Sequence, residues 1–404
     1  MNAPAASALP SPAPATRLLS LDAYRGFIMV CLAFNGFGLA KAAHLQLKAA
    51  PDSTFWRFAF SQWEHGQWVG WGFWDLIMPA FMFMVGMAMP FSHARRLRDG
   101  ESSGRIFRHT LVRAVILIAL GIFLMNHAKA KAPWELTNTL AQIGLCYPLV
   151  FFCLGRGFRM QGIAAVASLV VTWLLFVLHG GTAALGPGVT PEWAAVNHAG
   201  IGQAWWKCSN VAHAFDVWFL NLFSQSVPYV GNAGGYQTLN FLPSLATMIA
   251  GLMCGEWVRA KTTDAARKLR GLLIAGTALL VAGELLGHSG LCPIIKRIWT
   301  PSFGLVSTGT CVLMLAAFYW LVDVRGWKRW TFPLLVAGAN SIALYCMLML
   351  LRPWTAGLWQ RYLGKDVFLA AGPAWEPVLA ACAVGASLWL VTLWMYRNKF
   401  FVRI

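Results

Sequence analysis

Charged residues are scarce in this sequence, and acidic residues are the scarcest. Asp and Glu together account for 15 of 404 residues, and all charged residues make up 12%, whereas 58% of the chain is hydrophobic. Soluble domains carry about 25% charged residues, so this composition excludes a soluble enzyme. Long apolar runs take the place of the missing charge, and they predict an all-α, polytopic membrane helical bundle.

Signatures of metal and nucleotide chemistry are also missing. The nine cysteines form no CxxC pair and no Cys/His metal spacing, and most lie in apolar runs, where small core residues are typical. No Walker loop, dinucleotide fingerprint, HExxH motif or nucleophile elbow occurs. We therefore expect no metal site. Cys208 and Cys292 lie in non-apolar connections, where they either stay free or pair in an oxidising compartment.

The N-terminal segment lacks the features of a signal peptide. Residues 1–16 are rich in Ala, Pro and Ser and contain neither a basic n-region nor an apolar h-region. This composition predicts a disordered lead-in, followed by a single transmembrane domain over 17–404.

Apolar runs of about twenty residues predict ten transmembrane helices. The predicted spans are 24–41, 69–90, 110–126, 139–155, 162–179, 239–258, 271–288, 303–323, 332–351 and 373–396. With the N-terminus inside, the cytoplasmic segments hold nineteen Lys and Arg residues, against eleven on the other side. This asymmetry predicts cytoplasmic N- and C-termini. The net charge of +17 is explained by topology and does not indicate a nucleic-acid partner.

The longest connection, 180–238, is predicted to lie outside. It is poor in charge and holds an aromatic set: Trp193, Trp205, Trp206 and Trp218. These indoles would either anchor interfacial helices at the headgroup level or form a sugar-stacking wall over a site.

The most unusual stretch runs from Trp63 to Gly86. Laid on one helix, His65, Gly72 and Asp75 fall on a single polar stripe. An intramembrane carboxylate costs at least ~2.5 kcal/mol unless it faces protein or water, so Asp75 should point inward. On such a helix it would lie about 15 Å from His65, which excludes direct contact and assigns it to structure or to a ligand channel.

Further polar side chains lie in or beside the predicted spans, among them Asn35, Gln142, Asn340 and Ser341. Each buried amide alone could simply join helices. Several together predict a polar interior that contains a site. A transporter or flippase of a polar or lipid-linked solute and a membrane scaffold both remain alternatives to an enzyme.

Several segments together resemble the heparan-α-glucosaminide N-acetyltransferase family of multi-pass membrane acyltransferases, which includes bacterial members. The match runs over nearly the whole chain. The matching segments are RLLSLDAYRG (Arg17 to Gly26), the His65 to Gly86 motif, LAQIGLCY around Gln142, PSLATMIAGLMCGEWVR (Pro243 to Arg259), PIIKRIWTPSF (Pro293 to Phe303) and PLLVAGANSIALY (Pro333 to Tyr345).

The resemblance implies transfer of an acetyl group from cytosolic acetyl-CoA to an amine or hydroxyl of an extracytoplasmic sugar or glycan. It also implies a bacterial inner-membrane location, with His65 as the catalytic residue and Asn35 in the site. The chemistry of these residue types agrees, because an imidazole with a pKa near ~6.5 suits proton abstraction and an amide can donate to a developing oxyanion.

A CoA donor requires cations at the cytoplasmic mouth of the bundle. Arg25, Arg108 and Arg113 are the candidates, although the positive-inside rule alone also explains each of them. Four other polar residues are assigned to the donor channel: Asp75, Gln142, Asn340 and Ser341. The expected partners are acyl-CoA, a sugar or glycan acceptor, membrane lipids and a second copy of the chain.

Overall fold

The computed structural model describes residues 18–129, 134–223 and 227–402, so the predicted lead-in over 1–16 lies outside the described residues. The helices of the first half are α1 (Leu19–Ala33), α2 (Leu39–Ala49), α3 (Thr54–Trp63), α4 (Ile77–Arg98), α5 (Ser103–Asn126), α6 (Thr139–Phe151) and α7 (Gly157–His179). Those of the second half are α8 (Pro191–Asn197), α9 (Val211–Leu220), α10 (Phe241–Arg259), α11 (Ala265–His288), α12 (Pro301–Phe318), α13 (Phe332–Ala339), α14 (Ser341–Leu363) and α15 (Glu376–Arg397).

Eight helical segments in the described part of the chain are long and apolar enough to cross a membrane, and a bent pair provides a ninth. The prediction of an all-α, multi-pass membrane protein is therefore confirmed. The predicted span 24–41 is this bent pair, because α1 and α2 meet at 44° across Asn35–Gly38, where the backbone turns left-handed. The predicted span 139–155 is only the 13-residue α6.

The predicted helix over Trp63 to Gly86 is wrong in its first half. Helix α3 ends at Trp63, the chain from His65 to Gly72 is not helical, and a short 3₁₀ turn over Phe73–Leu76 leads into α4. Glycines explain the break: Gly70 has φ +99°, and a Cβ on Gly72 would overlap the Ser61 carbonyl oxygen. The polar stripe that includes His65 therefore does not exist.

Close packing of α4 against α10 forms the centre of the bundle. A Cβ on Gly86 would overlap the Met248 carbonyl oxygen, and one on Gly251 would overlap the Phe83 carbonyl oxygen. These glycines let the two backbones touch, which is the usual role of small residues between membrane helices.

Gly251→Ala should destabilise the bundle because its new methyl group meets backbone that cannot move aside. Overpacking of this kind costs about 1–3 kcal/mol, which should appear as a lower melting temperature in detergent. Gly162→Ala in α7 is the matched control, since a Cβ there has no neighbour within 4 Å. Equal melting temperatures for the two variants would contradict the close approach of α4 and α10.

Candidate active site

The loop from His65 to Gly72 is held against the segment between α11 and α12. The Gly70 amide donates to the Ile294 carbonyl at 2.8 Å, and Gly70 and Ile295 form an isolated parallel bridge. This register places Lys296 beside His65, although the two residues are 231 positions apart in the sequence. Two loops from distant parts of the chain thus build one site at the end of the bundle predicted to face outside.

Asp75 lies at the centre of this site. Its side chain is 0% exposed, and Oδ1 lies 2.8 Å from Nδ1 of His65 and 3.2 Å from Nζ of Lys296. Oδ2 accepts from the backbone amides of Gly72 and Gly66, at 3.1 and 3.4 Å. The expectation that Asp75 lies too far from His65 for contact is therefore wrong, because the intervening segment folds back as a loop.

The contacts of Asp75 determine the protonation pattern of His65. An ionised carboxylate only accepts hydrogen bonds, so the His65 Nδ1 must carry the proton that lies between them. The Lys296 ammonium lies 2.9 Å from Nδ1 because both groups donate to the same oxygen. In this tautomer the lone pair lies on Nε2, 3.5 Å from Nζ of Lys296, and the His65 side chain is 34% exposed.

Lys296 supplies the positive charge that balances Asp75. Its side chain is only 10% exposed, and its Nζ also lies 5.7 Å from the centre of the Tyr236 ring. A buried carboxylate with a cation partner and two backbone donors stays ionised. The three side chains thus form a connected cluster in which Asp75 orients His65 and Lys296 offsets the charge of Asp75.

Arg297 connects the long connection between α7 and α10 to the His65 loop. Its guanidinium donates to the carbonyl of Gly234 at 2.7 Å and to that of Gly66 at 3.3 Å, and it lies 5.5 Å from the Tyr236 ring. On another side the Trp74 ring lies 6.4 Å from the His65 ring. Trp74 is therefore an aromatic neighbour of the imidazole, and Tyr236 is an aromatic neighbour of Lys296 and Arg297.

A cavity inside the bundle lies below the site. It spans about 860 Å³, partly open to solvent, and is bounded by α1, α4, α5, α6 and α14. A second, also partly open cavity of about 710 Å³ shares Met89, Ser92, Arg113 and Tyr147 with the first and extends to His93, Arg96 and His109 near the 91–109 loop. The two adjoining cavities, together the channel, extend from the predicted cytoplasmic face to Phe81, which lies about 10 Å along the helix from Asp75.

Three of the predicted donor residues line this channel. Arg25 reaches the first cavity while it pairs with Asp22 at 2.8 Å, and Ser341 lies on the same wall. Arg113 borders both cavities, and its guanidinium donates to the Tyr147 hydroxyl at 3.2 Å.

Three other predicted donor residues are not brought to the channel. Arg108 is exposed. The Gln142 amide donates to the carbonyls of Leu136 and Thr238. The Asn340 amide bonds to Phe400 and Val402. The two amides therefore hold the frame of the bundle.

Asn35 lies in the left-handed turn between α1 and α2, with φ +52°. Its Oδ1 accepts from the Arg352 guanidinium at 2.9 Å, and it makes no described hydrogen bond to His65. The next residue, Gly36, packs on the rings of Trp63 and Trp74, and Trp74 borders His65. Asn35 and His65 thus lie at the same end of the bundle on either side of an aromatic layer.

The tryptophans of the long connection between α7 and α10 pack mainly against the protein. Trp68 donates to the Trp205 carbonyl at 2.9 Å, Trp205 stacks on Phe176, and Trp206 stacks on His198, while Trp218 is exposed. The two cysteines of the connections, Cys208 and Cys292, are both buried and free.

Sequence reasoning missed Lys296 and Arg297 as site residues. One signal was present, because this basic pair lies on the side of the membrane where the positive-inside rule disfavours cations. It also falls inside PIIKRIWTPSF, one of the segments that carry the family resemblance.

Comparison with known proteins agrees with that resemblance. No family model matches the chain. The chain is 23% identical over 426 residues to the heparan-alpha-glucosaminide N-acetyltransferase of Homo sapiens and 23% identical over 432 residues to that of Mus musculus. These alignments cover 96% of the chain, which spans only about 60% of the length of these relatives. Along nearly its whole length, the chain is therefore similar to heparan-alpha-glucosaminide N-acetyltransferases, as its motifs suggested.

Proposed function

We propose that the protein is a membrane-embedded acetyltransferase that moves an acetyl group from cytosolic acetyl-CoA to an amine or hydroxyl of an extracytoplasmic sugar or glycan. The single observation that carries this proposal is the His65–Asp75–Lys296 cluster, in which the Nδ1–H tautomer of His65 presents the lone pair of Nε2 as a base. The two mammalian relatives are named for N-acetyl transfer to a glucosaminide, which agrees in reaction type.

In the proposed reaction, Nε2 of His65 accepts the proton of the acceptor amine or hydroxyl as that atom attacks the thioester carbonyl. The new C–N or C–O bond forms, the C–S bond breaks, and the imidazolium returns its proton to the departing thiolate. Asp75 stabilises the transient imidazolium through Nδ1–H. Asn35 accepts from Arg352 through Oδ1, and we propose that its Nδ2 helps to hold the acceptor.

The channel supports an acyl donor that enters from the cytoplasm. Its lower part carries Arg96, Arg113 and two histidines, which suit the phosphates of a nucleotide head. Its upper part is mainly apolar, as a pantetheine arm requires. Arg25 and Ser341 line the upper part and are proposed to contact the donor.

The direct test is a transfer assay with purified protein in detergent. Radiolabelled acetyl-CoA and D-glucosamine should give labelled N-acetylglucosamine, and free CoA thiol should appear in equal amount. The rival transporter function predicts no acetylated product, and transport of a labelled sugar into proteoliposomes would favour it. Release of the CoA thiol without an acetylated sugar would rule out the proposed acceptor class. It would show that the protein cleaves the thioester.

The proposed function requires the donor to bind on the cytoplasmic side and the acceptor on the opposite side, so it predicts on which side each loop lies. Gln203 and Thr262 are both exposed, the first in the long connection and the second in the α10–α11 loop. A membrane-impermeant maleimide added to intact cells should label Gln203→Cys and spare Thr262→Cys until the membrane is opened. Labelling of Thr262→Cys alone in intact cells would contradict the arrangement.

A further inference from the structure

A groove on the predicted outer side adjoins the His65 loop, although His65 itself does not line it. One cavity of about 780 Å³, partly open to solvent, is lined by Glu64, Lys41 and Pro377. A second cavity of about 820 Å³, also partly open, shares Lys41 and Pro377 and extends to Asn35 and Arg352. Together the two adjoining cavities are the outer groove, with Glu64 at its near end and Arg352 at its far end.

Arg352 is the most distinctive side chain of this outer groove. It is half-buried, and its guanidinium donates to Asn35 Oδ1 at 2.9 Å and to the Leu32 carbonyl at 3.4 Å. Among the described residues no carboxylate lies within 4.0 Å of it. Because a guanidinium carries five donors, several remain unused beside the cavity.

The charges of the outer groove are distributed unevenly along its length. Glu64 places a carboxylate next to the proposed base, and its Oε1 accepts from the His65 amide at 3.0 Å. Lys41 lines both cavities, and the far cavity adds Arg352 and the exposed Glu376. A ligand with an ammonium at one end and an anion at the other matches this order.

We propose that the outer groove binds the acceptor, and that the acceptor is an amino sugar with an anionic oxygen group, either phosphate or carboxylate, which Arg352 holds. This inference rests on the proposed acetyltransferase function. The amine lies toward Glu64 and His65, where Nε2 accepts its proton. The planar guanidinium binds two oxygens of the anion in parallel, which fixes the orientation of the sugar.

The test compares D-glucosamine 6-phosphate with D-glucosamine as acceptors for the purified protein. The wild type should show the larger kcat/KM with the phosphorylated sugar, and Arg352→Gln should reduce this preference at least tenfold. The glutamine can still donate to Asn35, so the variant separates loss of charge from loss of that hydrogen bond. Arg361→Gln is the matched control, since Arg361 is an exposed arginine on the same helix, outside the outer groove.

Equal losses with both sugars would overturn the proposal, because Arg352 would then act only by orienting Asn35. Calorimetric binding of D-glucosamine 6-phosphate without acetyl-CoA provides a readout that needs no catalysis. If the wild type binds the phosphorylated sugar, Arg352→Gln abolishes that binding, and the wild type transfers no acetyl group, the anion subsite is supported and the proposed function is refuted. If the wild type transfers acetyl groups equally well to both sugars, the proposed function is supported and the anion subsite is refuted.

A phospholipid headgroup is the other source of an oxyanion near the membrane surface. Binding of D-glucosamine 6-phosphate is therefore measured in nanodiscs of phosphatidylcholine alone and of phosphatidylcholine with phosphatidylglycerol. Binding that is the same in both supports a sugar-borne anion. If phosphatidylglycerol weakens sugar binding by the wild type but not by Arg352→Gln, the lipid headgroup is the natural occupant of the site and the acceptor assignment is overturned.

Discussion

His65→Ala should abolish acetyl transfer while the bundle remains folded and still binds acetyl-CoA. The imidazole is one-third exposed and lies in a loop outside the packed helices, so its removal leaves no large cavity in the core. Loss of a general base costs ~10²–10⁴ in rate. The measurement is kcat for transfer to D-glucosamine, together with the melting temperature and the affinity for acetyl-CoA.

His179→Ala is the matched control for this variant. His179 is exposed at the end of α7, where its Nδ1 accepts from the Gly181 amide at 3.3 Å. Loss of that bond should change stability by about 1 kcal/mol and leave turnover intact. Added imidazole should restore part of the activity of His65→Ala alone, since it replaces the missing base. Turnover by His65→Ala within a few-fold of the wild type would remove His65 from the chemistry.

The helices of this protein could be predicted because their signal is local. A run of about twenty apolar residues determines a membrane span whatever its neighbours are, so seven of the ten predicted spans correspond to long helices. Three predicted spans are wrong for local reasons that hydropathy does not register, and one of them, 332–351, is divided at Asn340 between α13 and α14. The first bends where Asn35 to Gly38 turn left-handed, and α6 ends before the glycine-rich turn that holds Gly155 and Gly157.

The candidate site could be predicted only in part because its contacts are not local. The inward position of Asp75 follows from the cost of a charge in lipid, and the structure confirms it. Its contact with His65 depends on glycines that turn a helix-like pattern into a loop. The approach of Lys296 depends on the bridge between Gly70 and Ile295, for which no periodicity in the sequence gives evidence.

Asp75→Asn should impair both activity and stability, for two separate reasons. The amide has one acceptor oxygen, so it cannot accept from His65 and also from the Gly72 and Gly66 amides on its other side. The Nδ1–H tautomer is then no longer fixed, and we expect kcat to fall by roughly 10²–10⁴. The Lys296 ammonium also loses its counter-charge while it stays buried, which costs about 3–5 kcal/mol.

The double variant Asp75→Asn/Lys296→Met separates these two effects. Methionine fills a similar volume without a charge, so the unpaired ammonium disappears and most of the lost melting temperature should return. Activity should not return, because the carboxylate that orients the His65 ring is still missing. In a double-mutant cycle the stability effects should therefore deviate from additivity by more than about 0.5 kcal/mol, as expected for directly contacting groups. Additive melting changes would show that Asp75 and Lys296 do not form an ion pair, and recovered turnover would show that Asp75 does not position His65.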